Sequence, residues 1–103
     1  MQLNSVKTEV VIVNRYGLHA RPAMQLVELA NSFASKIEVS NGAMAVDAKS
    51  IMSVMRLAAT KGTTLAIVAD GGDAEQALAA IGKLVADGFG EMEDETDAAT
   101  VDD

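Results

Sequence analysis

The sequence predicts an α/β (α+β) fold: a two-layer open-faced sandwich in which a four-stranded, largely antiparallel sheet carries three helices on one face. Three observations predict it. Period-two and period-3.6 apolar patterns follow one another in the order βαββαβα. The 103 residues are enough for one core and too few for two. Half of the residues are apolar but only one Tyr and two Phe are present, so the core must be built from Val, Leu, Ile, Met and Ala.

The elements read in order. Val6 to Val13 alternates as a strand, with Val6, Thr8, Val10 and Ile12 on one face, until Asn14-Arg15-Tyr16-Gly17 breaks it. From Ala20, apolar residues recur at Ala23, Leu26, Val27, Ala30 and Phe33-Ala34, the spacing of one helix face, and Pro22 falls in the first turn, where a helix tolerates proline. Lys36 to Ser40 alternates around Ile37 and Val39. Asn41-Gly42 is a hairpin turn, and Met44, Val46 and Ala48 share a face of the returning strand. Ser50 caps a short helix expected to reach about Ala59 and to end at Lys61-Gly62. Thr64 to Asp70 is a fourth strand. Asp73-Ala74-Glu75-Gln76 has the form of a capping box for a last helix, which packs Leu78, Ile81, Leu84 and Val85, with Phe89 a further candidate, and stops near Gly88 and Gly90.

Charge divides the chain. Of 15 acidic residues, Glu91, Glu93, Asp94, Glu95, Asp97, Asp102 and Asp103 follow Gly90, and the remaining eight are balanced by all eight Lys and Arg. Residues 1–90 therefore read as one neutral domain. Residues 91–103 read as an acidic, disordered tail, dispensable for folding. A neutral body without a basic stripe excludes nucleic acid as the expected partner. With no cysteine and one histidine there is no disulfide, thiolate site or multi-histidine metal centre to expect, and no metal or cofactor is called for. Met1-Gln2-Leu3-Asn4-Ser5 lacks the apolar stretch of a signal peptide and no later run reaches membrane-spanning length, so the cytoplasm is the expected compartment and membrane insertion is not expected.

The chemistry concentrates in Gly17-Leu18-His19-Ala20-Arg21-Pro22-Ala23. It places the one histidine directly before a helix, whose first N–H groups and positive dipole end bind a phosphate. Imidazole titrates near neutrality and is available as a neutral nucleophile. Arg21 adds a permanent cation with donors matched to phosphate oxygens, and Gly17 allows the tight turn that brings the ring over the helix end. A histidine alone would more often be a polar cap. Turn, nucleophile, cation and helix start within seven residues favour a phosphoryl site.

This segment resembles the active-site motif of HPr, the histidine-containing phosphocarrier of the phosphoenolpyruvate-dependent sugar phosphotransferase system. Lys49-Ser50-Ile51-Met52-Ser53-Val54-Met55 resembles the second signature of that family, at its usual distance downstream. The resemblance spans about residues 6–90. It implies a stoichiometric carrier rather than an enzyme, with His19 becoming a pros-phosphohistidine (phosphorylated on Nδ1) and Arg21 steadying the phosphoryl group. The donor would be phosphorylated Enzyme I and the acceptor a protein such as a sugar-specific IIA component. It also implies a monomer that docks through Ala20, Met24, Ile51, Met52 and Met55, with Ser50 the target of HPr kinase/phosphorylase where that enzyme exists. Tyr16 departs from the pattern, standing where the family often has a small polar residue.

Two features bear on these expectations independently. Ser50 is explained as a helix cap alone, although a phosphate there would meet the same amides. On a helical wheel, Leu57, Val54, Ala58, Ile51, Met55 and Met52 cover an arc of roughly 220°, against about 100° for an ordinary surface helix. The surplus of Ile51, Met52 and Met55 should be exposed, and exposed methionine suits docking to several partners. A regulatory binding module working through Ser50 alone would not need His19. A hydrolase with His19 as base lacks a recognisable nucleophile and orienting carboxylate.

Overall fold

The computed structural model describes residues 5–91. Its elements are β1 (Ser5–Val11), α1 (Ala20–Asn31), β2 (Lys36–Ser40), β3 (Ala45–Asp47), α2 (Ile51–Met55), β4 (Thr64–Asp70) and α3 (Ala74–Ala86), followed by a 3-10 turn at Gly88–Gly90. The four strands form one sheet in the order β1-β4-β2-β3, and every pairing is antiparallel. β4 is central, pairing Val6 with Ala69 on one side and Ile37 with the same Ala69 on the other. The predicted element order and architecture are those observed.

Alternation fixes which face is covered. Leu65, Ile67 and Ala69 of β4 and Ile37 and Val39 of β2 are buried, Glu38, Ala66 and Val68 between them are more open, and Lys36, Thr64 and Asp70 are exposed at the strand ends. The buried row meets Ala23, Leu26 and Ala30 of α1 and Ala77, Ile81 and Val85 of α3 in a single core. Each of these helices thus contributes one apolar stripe, as its 3.6-residue period requires.

The β2–β3 turn forms as Asn41-Gly42 indicates: Asn41 Oδ1 accepts from the backbone N–H of Ala43 and Met44, and Gly42 has φ +96. Two local expectations are corrected. α2 ends at Met55, short of Ala59, because the chain tightens to i→i−3 bonds (Arg56 to Ser53, Leu57 to Val54, Ala58 to Met55) and Ala58 turns to φ +47. Lys61-Gly62 instead belongs to the turn before β4, where Gly62 N–H donates to Ile12. The capping box of α3 does not form. Asp73 occupies the N-cap, but its side chain makes no cap bond; it accepts from the Ala34 and Ser35 amides and the Ser35 hydroxyl, tying the α1–β2 connection to the start of α3. These bonds, the Ser35 hydroxyl first, hold the Asp73 carboxyl below its ordinary range.

Candidate functional site

The loop between β1 and α1 is built around two backbone contacts. Gly17 adopts φ +65 and its N–H reaches the Asn14 carbonyl, while Asn14 Nδ2 donates to the Gly17 carbonyl at 2.8 Å. Leu18 then enters the core, and its N–H donates to the Ala59 carbonyl at 2.9 Å. His19 follows as the N-cap of α1 in extended conformation, with its carbonyl accepting the first helical bond from Ala23. Its side chain makes no cap bond, so the ring is not spent on the helix terminus. No acidic residue occupies the first turn of α1, which leaves the dipole end uncompensated from within the helix.

The imidazole is partly open, its side chain 40% exposed. The Tyr16 ring stands edge-on to it, centroids 6.0 Å apart at 85°, and the Arg15 guanidinium lies 5.3 Å from the Tyr16 centroid. Tyr16 therefore forms one wall of the site.

A residue that sequence reasoning assigned to the acidic tail forms another wall. Glu91 is buried, and its carboxylate faces His19 Nε2 at 2.9 Å from Oε2 and 3.2 Å from Oε1. Asn14, itself fully buried, donates to Oε1 at 2.9 Å, and an Arg21 Nη donates to Oε2 at 3.4 Å. Burial pushes the Glu91 carboxyl upward, but hydrogen bonds from Asn14, His19 and Arg21 and the His19 charge outweigh it, so the group titrates below its ordinary value. No feature of the acidic run Glu91 to Asp103 marks its first member in this way. The only local signal was the neighbouring Gly88-Phe89-Gly90, an apolar residue between turn formers. The rest of the expected tail, 92–103, lies outside the described residues.

The other singled-out residues lie on α1 and α2. Ser50 caps α2, accepting from Ser53 N–H at 3.3 Å. Ala20 and Met24 are exposed on α1, and Ile51, Met52 and Met55 are exposed on α2, with Met52 at 76%. Val54 and Leu57 take the inward face. Met24 and Ile51 meet across an open apolar depression that Val27 and Glu28 complete. Among the described residues no cluster of three or more His, Asp or Glu could hold a metal ion, and no helix is long and apolar enough to cross a membrane.

Comparison with known proteins matches residues 6–87 to the family described as PTS HPr component phosphorylation site. The phosphocarrier protein HPr of Cupriavidus necator is 43% identical over 88 residues, covering 85% of this chain and 99% of that protein. A multiphosphoryl transfer protein of Haemophilus influenzae is 42% identical over 98 residues, covering 88% of this chain and 20% of that one. Among solved structures, an HPr from Thermoanaerobacter tengcongensis superposes with a TM-score of 0.79 at 39% identity, covering 82% of this chain and 96% of that one.

Proposed function

The chain belongs to the HPr family of phosphotransferase-system phosphocarriers, and on that premise we propose that His19 is the residue that carries the phosphoryl group. It receives the group from phosphorylated Enzyme I and passes it to an acceptor protein such as a sugar-specific IIA component. As a carrier it is not an enzyme, and it needs no substrate pocket because each partner completes the chemistry.

The observation that supports this reading best is the placement of the partly exposed His19 ring at the N-terminus of a 12-residue helix, with Arg21 in the same turn. Phosphoryl transfer is catalysed chiefly by positioning and by neutralising charge on the phosphoryl oxygens. The helix end offers amide N–H groups and Arg21 a guanidinium, whose side chain is 63% exposed and within reach of an incoming group.

Ala20, Met24, Ile51, Met52 and Met55 form the docking surface in this reading, an apolar patch adaptable enough for more than one partner. Ser50 borders it and is the regulatory phosphorylation site where HPr kinase/phosphorylase is present. The protein acts as a monomer in the cytoplasm. Incubation with Enzyme I and phosphoenolpyruvate, followed by mapping of the acid-labile phosphate, tests the proposal. Phosphate on His19 supports it, and a parent protein that takes up none overturns it.

A further inference from the structure

Glu91 faces His19 Nε2 with an acceptor-only group. An ionised carboxylate has no proton to give, so the ring nitrogen opposite it must carry one. In a neutral imidazole the remaining lone pair then lies on Nδ1. The carboxylate itself is held from several sides. Asn14 Nδ2 donates to Oε1 from a fully buried position, and Arg21 donates to Oε2.

The backbone leading to Glu91 is equally constrained. Gly88, Phe89 and Gly90 all have positive φ (67, 58 and 76), and Glu91 N–H donates to the Gly88 carbonyl at 2.8 Å. Phe89 is the one residue of the three that pays a steric penalty for this conformation, and its ring is buried in the core. A left-handed non-glycine residue persists when its surroundings over-determine it. Here the anchored Phe89 ring turns the chain so that the next carboxylate lands on the histidine.

We propose that Glu91 is a positioning residue for phosphoryl transfer, fixing the His19 ring in the Nε2–H tautomer that leaves Nδ1 as the nucleophile and balancing the positive charge the ring gains on phosphorylation. This rests on His19 being the acceptor. The step balances without a proton transfer. The Nδ1 lone pair forms the new N–P bond as the N–P bond of a donor phosphohistidine breaks, and that bonding pair returns to the donor nitrogen. The His19 ring keeps its Nε2 proton throughout and so becomes a cation beside Glu91. The carboxylate orients the imidazole and stabilises its charge as the aspartate does for the histidine of a serine-protease triad.

The test uses the full chain, its Glu91→Ala and Glu91→Gln variants, and 15N spectra of the His19 ring at a pH where it is neutral. The parent should show an almost pure Nε2–H ring, and Glu91→Ala a mixture of tautomers. Glu91→Gln keeps an acceptor oxygen and the shape of the side chain, so it should retain the tautomer but lose the charge balance. In transfer from phosphorylated Enzyme I, kcat should fall about tenfold for Glu91→Ala, the low end of the loss seen when the partner that orients a metal-ligating histidine is removed. The Gln variant should fall between it and the parent. A purely structural role would leave Glu91→Gln at the parental rate. Tautomer ratios that match in the parent and Glu91→Ala, or parental kcat in both variants, overturn the proposal. Failure of the carrier reading is separate, since it appears as a parent that takes up no phosphate on His19.

Discussion

Gly17 and Ala59 meet backbone to backbone: a Cβ built on Gly17 would lie 2.4 Å from the Ala59 carbonyl oxygen and 2.8 Å from Thr60 Cα. The same carbonyl accepts from Leu18 N–H, so the loop before His19 is pinned to the chain leaving α2. Gly17→Ala should therefore cost about 3 kcal/mol, of which about 1–2 kcal/mol is the left-handed conformation and the rest displacement of a packed backbone. Urea denaturation measures the loss. A cost below about 1 kcal/mol would show that the two loops separate easily.

His19→Ala should fold and accept no phosphate from Enzyme I, because the ring makes no cap bond and its removal leaves α1 intact. Arg21→Ala should still accept phosphate, but about tenfold more slowly, through loss of charge neutralisation. Acid-labile phosphate counted over time separates the two. Undiminished incorporation in His19→Ala would remove this residue from the mechanism.

At Ser50, the observed cap and the proposed docking edge make different demands. Ser50→Ala should lose about 1 kcal/mol with the bond from Ser53 and transfer nearly normally. Ser50→Asp should fold normally, since a helix N-terminus favours an anion. A charge beside exposed Ile51 and Met52 must be desolvated by an apolar partner, so kcat/KM with Enzyme I should drop, chiefly through KM. Equal kinetics for both variants and the parent would place Ser50 away from the docking surface.

Glu91 gives stability a defined pH dependence. Its folded pKa lies below the ordinary 4.5, so the carboxylate contributes stability that is complete above the unfolded value and is lost as pH falls through the folded one. The parent should be more stable than Glu91→Gln near neutral pH, and the gap should close as pH falls below the ordinary 4.5 and through the lowered folded value, because glutamine does not titrate. Denaturation midpoints of both proteins across this range check it. A gap independent of pH would mean that the ionised form has no special partner in the folded state.

What was legible in the sequence was local. Alternation in β2 and β4, the Asn41-Gly42 turn and the Ser50 cap each depend on residues within a few positions of one another, and each appears as expected. The same holds for His19 at the start of α1, since Gly17 permits the turn before it and Pro22 presets the φ of the first helical turn after it. α2 ends at Met55 although Arg56-Leu57-Ala58 is compatible with helix by pattern. What ends the helix is a left-handed Ala58, a conformation alanine does not advertise.

By itself, then, the amino-acid sequence determined the order of elements, the inward face of each and the identity of the residue over the α1 terminus, because backbone preference and periodicity are properties of short segments. The tertiary structure alone decided the two carboxylates that matter most to the geometry. Asp73 looked like a cap and instead fastens Ser35, 38 residues away. Glu91 looked like one more charge in an acidic run and instead meets His19 across 72 residues of chain. An acidic side chain has the same composition and local propensity in either role. Whether it is solvated or buried against a donor depends on which distant groups the folded core brings within about 3 Å, and no short-range pattern encodes that distance.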